Sequence, residues 1–292
     1  MYVIDRVIKQ QIKEDVYFEG AIRFLYGNCL FSRIFGRIIL HTIAKWPFFS
    51  ALFGRLQNCS FSKRKILPFI ARYKINTEEF EKAPDAFSSF NDFFIRKLKT
   101  SCRPVTQTSA IIPADGRYTF LPEAGPASTF QVKGATLSIF ELLANTPNSH
   151  LFTKGATVII ARLCPTDCHR FYFPCDGTPE APILIKGPLY SVHPIADYPT
   201  AFVKNKRTIT YMDTPSFGTI VIVTVGATNV GSINHTFTPN THVQKGSEMG
   251  YFAFGGSALV LLFQPNTITL SPDLKAPSEL ETLCLIGQPL GQ

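Results

Sequence analysis

No run of about 18 apolar residues in this 292-residue chain is free of charge, which argues against a membrane-spanning helix. The opening MYVIDRVIKQQIKED mixes both signs of charge and leads into no long apolar segment, unlike a secretory signal, so the chain is expected on the cytosolic side. Seven cysteines, an odd number, form no C-x-x-C pair, which predicts neither a disulfide framework nor a metal site. The phosphate-binding patterns G-x-x-x-x-G-K-[ST] and G-x-G-x-x-G are missing, as is H-E-x-x-H, and nucleotide and zinc-protease chemistry lose their best support. Acid is scarce in one place: between Glu19 and Glu78 stand ten Lys or Arg and no Asp or Glu.

What is present divides the chain in two. Apolar residues make up 45% and charged residues 17%, a balance that packs a core. Residues 1–105 hold 18 basic and nine acidic side chains, whereas residues 106–292 hold 11 and 12, so the net charge of +8 belongs to the front. Such a field attracts anionic lipid or nucleic acid. From Phe31 to Leu56 the spacing is helical: Arg33, Arg37, His41 and Lys45 recur every fourth residue beside Ile34, Phe35, Ile38, Ile39, Ile43 and Trp46. A basic amphipathic stripe of this kind can lie in a bilayer interface or pack as a hairpin with solvated cations. Beyond Cys102-Arg103-Pro104 the texture changes to short β-branched runs, with strands predicted over Thr157–Leu163, Thr219–Val225 and Ala258–Phe263. The expectation is an α+β protein, with a helical, membrane-associating region over 1–105 and a β-rich body over 106–292.

Ser60-Phe-Ser-Lys63 fits S-x-x-K but sits in the basic front without companion motifs, and coincidence explains it. Gly255-Gly256-Ser257 is the more promising segment. Paired glycines open conformations closed to other residues and leave the Gly256 carbonyl accessible, and a hydroxyl directly after it can attack it. By itself Gly-Gly-Ser is most often a turn; its neighbours give it weight.

The run KGSEMGYFAFGGSALVLLFQP, Lys245 to Pro265, resembles the C-terminal signature of phosphatidylserine decarboxylases, K-G-x-E-M-G-x-F-x-x-G-S-T before an apolar strand. SFNDFFIRKLK (89–99), PADG (113–116), DCHRFYFPCDG (167–177), GPLYSVHP (187–194), NKR (205–207) and FGTIVIVTVGATNVGSI (217–233) look like that family's segments in the same order. The chemistry can be followed from the residues. Ser257 attacks the Gly256 carbonyl, the peptide bond becomes an ester, and elimination followed by hydrolysis leaves a pyruvoyl group with loss of ammonia. The cleavage falls between Gly256 and Ser257 and makes two chains from one precursor. The carbonyl forms a Schiff base with the substrate amine and serves as the electron sink for decarboxylation, so no diffusible cofactor is needed.

The resemblance implies that phosphatidylserine is the substrate, phosphatidylethanolamine the product and an anionic phospholipid membrane the partner. The protein would then be peripheral on the cytoplasmic side of the cell membrane; nucleic acid is set aside, and a homodimer is left open. The resemblance also implies that Asp115 of PADG orients a processing histidine and that His169 donates a proton at decarboxylation. Arg170 is the candidate for orienting an anionic headgroup. The family pattern D-Y-H-R-x-H-x-P is broken here: Tyr172 stands at the second histidine and Cys168 at the tyrosine, while Ala258 replaces the threonine after the serine. A phenol with an ordinary pKa near 10 is a poor base at neutral pH. Three readings follow: rescue by His193 or His235, slow maturation through an activated Tyr172 and strain at Gly255-Gly256, or an unprocessed noncatalytic lipid-binding homologue.

Overall fold

A strand with no polar residue after its first position, such as SALVLLF, must be buried on both faces. A computed structural model of the chain describes residues 2–15, 19–26, 35–36, 38–39, 47–122, 129–132, 135–152, 154–193, 196, 200–227, 232–253, 255, 257–275, 278 and 280–292. Ser257–Phe263 lies in the middle of a ten-stranded sheet. Across it the order is Ile183–Ile185, Arg207–Thr214, Gly218–Gly226, Ser257–Phe263, Thr157–Leu163, Gly116–Leu121, Thr282–Cys284, Tyr2–Asp5 and Gln10–Lys13, with Thr178–Pro179 also paired to Arg207–Thr214. Neighbours run antiparallel except Tyr2–Asp5 beside Thr282–Cys284, which is parallel. The three strands expected from the sequence are present, two of them longer by a residue or more.

Alternation sorts the central strands into two cores. Leu259, Leu261 and Phe263 pack on one face with Ile159, Ala161, Leu163, Phe171, Phe173 and Phe252. Ala258, Val260 and Leu262 pack on the other with Val158, Val221, Val223, Leu142 and Phe152. A second sheet of Ile233–His235, Glu248–Phe252 and Arg170–Tyr172 contributes Phe171, Met249 and Phe252 to the first core. Ser257 shares the pleat of Leu259, so its side chain belongs to the face the small sheet covers.

The front contains the helices Glu19–Tyr26, Pro47–Asn58, Ile66–Tyr73 and Phe90–Phe94. The last two share an aromatic core with the loops between them, Phe69, Phe80, Phe87, Phe90, Phe93 and Phe94 with Ile66, whereas Leu25 and Tyr26 of the first pack against Tyr190 and Ala201. Ser89 caps the last helix by accepting from the Asp92 N–H at 3.1 Å, and Ser62 Oγ accepts from the Phe90 N–H at 2.8 Å. The serine of the S-x-x-K coincidence therefore lies beside a serine that fixes this helix. The helical expectation for 1–105 needs one correction. Residues 2–13 are a β-hairpin on the main sheet, where buried Val3 and the parallel ladder to Thr282–Cys284 satisfy a backbone that would otherwise be an unpaired edge. Arg33, Arg37, His41 and Lys45 lie outside the described residues.

Candidate active site

Ser257 is fully buried, paired across the sheet with Gly226 on one side and Leu163 on the other. Its Oγ has no hydrogen-bond partner among the described residues. A buried hydroxyl without a partner costs about 1–3 kcal/mol, so its place here calls for an explanation, and a reactive role is one. Two residues upstream, Gly255 has φ of 140°, a conformation that favours glycine. Gly256 lies outside the described residues.

His169 is also fully buried, at the end of the turn that follows strand Thr157–Leu163. That turn is closed by the Asp167 carboxylate, which accepts from the Cys164 N–H at 2.7 Å, and by Arg96, whose Nη2 donates to the Thr166 carbonyl at 2.6 Å. Phe94 lies against the imidazole with ring centroids 3.8 Å apart. The SFNDFFIRKLK segment thus acts on the site through Phe94 and Arg96. Nδ1 is 3.2 Å from the Asp167 carbonyl, which can only accept, a contact that favours the tautomer with the hydrogen on Nδ1. Nε2 has no hydrogen-bond partner among the described residues. Burial pushes His169 down to about 3, with the backbones of Asp167 and Gly255 pulling the other way, so the ring is neutral and lies beside the bend that precedes Ser257.

Asp115 is buried but is bound to no histidine among the described residues. Its carboxylate accepts from Arg103 Nε at 3.0 and 3.1 Å, from Arg103 Nη2 at 2.8 Å and from the Ile286 N–H at 2.8 Å. Arg103 Nη2 also reaches Glu79 at 2.9 Å. Asp115 therefore ties the end of the front to the body and to the C-terminal segment. Tyr172 donates its backbone N–H to Pro113, within the PADG segment. Burial, reinforced by nearby Cys168 and Glu248, raises its phenol further above the ordinary value. The environment thus opposes the activation that a processing role for Tyr172 would need. Arg170 donates to the Ile95 carbonyl at 2.9 Å and to Glu248 at 2.7 Å, and its guanidinium stands over the Tyr251 ring. It could meet an anionic headgroup only by exchanging Glu248 for it.

Reasoning from the sequence alone left Asn205, Thr208 and Thr224 unnoticed. Asn205, fully buried, accepts from the Tyr190 N–H and donates to the Tyr190 and Gly226 carbonyls, fixing the strand end opposite Ser257. Arg207, two residues on, is buried against the Leu142, Glu141 and Asn205 carbonyls. His235 Nε2 meets Thr208 Oγ1 at 2.9 Å, and Thr208 Oγ1 meets Thr224 Oγ1 at 2.5 Å. Burial lowers His235 to about 4. His193 lies in a loop where its N–H donates to Ser191 Oγ.

Two depressed histidines give a pH prediction. Both are held below the value of about 6.5 they would have unfolded, so the unfolded chain takes up protons first as pH falls. Their contribution is fully present above pH 6.5 and is lost as pH falls toward about 4 for His235 and about 3 for His169. At pH 4.5 each is expected to cost about 2–3 kcal/mol. Urea unfolding at pH 7 and 4.5 checks this: His169→Gln should show a shallower loss than its parent, and an unchanged slope contradicts it.

Residues 90–291 match the phosphatidylserine decarboxylase family. The chain is 43% identical over 295 aligned residues to the phosphatidylserine decarboxylase proenzyme of Chlamydia pneumoniae, covering 99% of this chain and 96% of that protein. It is 42% identical to the proenzyme of the same name from Chlamydia muridarum, covering 96% and 93%, and 39% identical to that of Chlamydia felis, covering 99% and 97%. With the family's segments spread over both core faces and converging on Ser257, His169 and the Gly255 bend, the chain belongs to the phosphatidylserine decarboxylase family.

Proposed function

We propose that the chain cuts itself before Ser257, converts that serine to a pyruvoyl group and decarboxylates phosphatidylserine at an anionic membrane surface. The observation that carries this reading is the pair of buried, unpartnered polar atoms, Ser257 Oγ and His169 Nε2, flanking a bend that only glycine adopts readily. The residues present fit a pyruvoyl group: the serine stands at the buried start of a central strand, and its side chain makes no hydrogen bond among the described residues that conversion would break.

Formation of the group balances without an oxidant. Ser257 Oγ gives up its proton and bonds to the carbonyl carbon of Gly256. The C–N bond breaks and the nitrogen of Ser257 gains a proton. Loss of the Ser257 Cα proton and of the Gly256 carboxylate then leaves a dehydroalanine, and water replaces its nitrogen as ammonia. A pyruvoyl group at position 257 supplies the electrophilic carbonyl that delocalises the electron pair released with carbon dioxide. His169 holds its Nε2 at the bend, oriented through Nδ1 and clamped by Phe94, and moves the proton that decarboxylation requires. Phe94, packed on the ring, helps keep water from that buried nitrogen. Asp115 and Arg103 hold the C-terminal segment against the front. Arg170 is available to a headgroup phosphate or carboxylate on release of Glu248.

Among the described residues no helix is long and apolar enough to cross a membrane. The front exposes Phe35, Ile38, Leu52, Leu56, Phe61 and Leu67 within the acid-free stretch that carries Arg55, Lys63, Arg64 and Lys65. Apolar side chains among cations suit an anionic interface, which supports peripheral attachment. The noncatalytic alternative rests on Tyr172 alone, and relatives named as proenzymes over nearly the whole chain speak for the enzyme.

Intact mass of the purified protein, a carbonyl-reactive probe and carbon dioxide release from phosphatidylserine vesicles test the reading together. The expected result is fragments of residues 1–256 and 257–292, the smaller blocked at its N-terminus and labelled by the probe. A single full-length mass after long incubation would overturn it.

A further inference from the structure

A serine hydroxyl attacks a peptide carbonyl only if its proton has somewhere to go. Tyr172, with its phenol raised by burial, is a poor destination. His169 lies beside Gly255, upstream of the bond to be cut. The face onto which Ser257 projects offers another route. Gly226 stands opposite Ser257 and has no side chain, and Thr224, two residues back on the same strand and the same pleat, is the diagonal neighbour of Ser257. Diagonal cross-strand neighbours sit about 7–8 Å apart at Cα, a gap that one rotamer change or one water closes. From Thr224 the hydroxyl contacts run without interruption to Thr208, directly opposite it, and on to His235 Nε2. His235 is wedged between Phe171, at 6.0 Å, and Phe237, at 5.6 Å, and its Nδ1 is buried without a hydrogen-bond partner among the described residues.

We infer that the Thr224–Thr208–His235 chain accepts the Ser257 Oγ proton during self-cleavage and so does, in this protein, what a histidine at position 172 would otherwise do. The inference rests on the self-cleavage reading above. Each hydroxyl passes one proton on and receives one, so Ser257 loses a proton, Nε2 gains it, and the same chain run backwards returns a proton to the departing nitrogen of Ser257. Thr208 and Thr224 are positioning residues; His235 is the acceptor at the end of the line.

Scission of precursor made by cell-free synthesis, followed by gel mobility and intact mass, separates a proton path from a packing role. Thr208→Val keeps the shape and loses the hydroxyl, whereas Thr208→Ser loses a methyl and keeps the hydroxyl. The expected result is scission slowed at least tenfold in Thr208→Val, Thr224→Val and His235→Gln, with Thr208→Ser rescuing the rate and Tyr172→His restoring scission to His235→Gln. Equal rates in Thr208→Val and Thr208→Ser, or His235→Gln cut as fast as the wild type, would overturn the inference while leaving self-cleavage standing. A wild type that is never cut would overturn both.

Discussion

Ser257→Ala is expected to yield one uncut chain of 292 residues that folds at least as stably as the wild-type precursor, carries no reactive carbonyl and releases no carbon dioxide from phosphatidylserine. Loss of chemistry is complete because no other residue can supply a hydroxyl to the Gly256 carbonyl from the adjacent position. The stability half of the prediction comes from the structure. Ser257 Oγ is buried and makes no hydrogen bond, so its removal deletes a desolvated polar atom and breaks no contact. Alanine keeps the Cβ that packs between Gly226 and Leu163. A gain of up to about 1–2 kcal/mol is the corresponding expectation. Urea unfolding compared with a precursor trapped by another route, such as His235→Gln, measures it. A marked loss of stability would show that the hydroxyl holds the fold, and scission in Ser257→Ala would show that the reactive residue lies elsewhere.

The same serine shows how far the sequence can be read. Its candidacy was legible because the KGSEMG run, the paired glycines and the apolar strand after them all lie between Lys245 and Pro265. The strands Thr157–Leu163 and Ser257–Phe263 were legible because both their faces are apolar. The N-terminal hairpin was not: YVID and QQIK are too short to show a period, and what fixes them is Thr282–Cys284, nearly the whole chain length away. Asp115 was singled out as a candidate in the sequence, but Arg103 as its partner follows only from the fold, since a charge in a loop before a proline has no local signature. Thr208, Thr224 and His235 were invisible as a group because two hydroxyls paired by register meet an imidazole from the second sheet only in the folded chain. Arg117 and Arg162, charged positions inside strands, are buried, and their partners follow only from the fold.

Arg162→Met is expected to destabilise the chain by about 3–5 kcal/mol, the range for leaving a buried charge without its partner. Arg117 and Arg162 face each other across adjacent strands on the side of the sheet opposite Ser257. Two like charges there are tolerable only because three carboxylates surround them. Glu14 pairs with both guanidiniums, Asp167 pairs with Arg117, and Glu281 accepts from Arg162 Nη2 at 2.7 Å. Burial would raise the Glu14 carboxyl, but Arg117 and Arg162 hold it below the usual carboxylate range. Methionine in place of Arg162 fills the volume and leaves Glu14 and Glu281 to share the charge of Arg117. Neutralising those carboxylates in the same chain, with Glu14→Gln and Glu281→Gln, should recover at least half the loss. The cluster joins the N-terminal hairpin, the body and the segment that scission would detach, so Arg162→Met should also weaken the hold of fragment 257–292 on the rest. Urea unfolding of the uncut Ser257→Ala chain measures the first effect and gel filtration of the cut protein the second. If Arg162→Met unfolds at the parental urea concentration, the cluster contributes nothing net and the hairpin is held by its strand pairing and by Arg6, whose guanidinium donates to Asp273 at 2.6 and 3.0 Å.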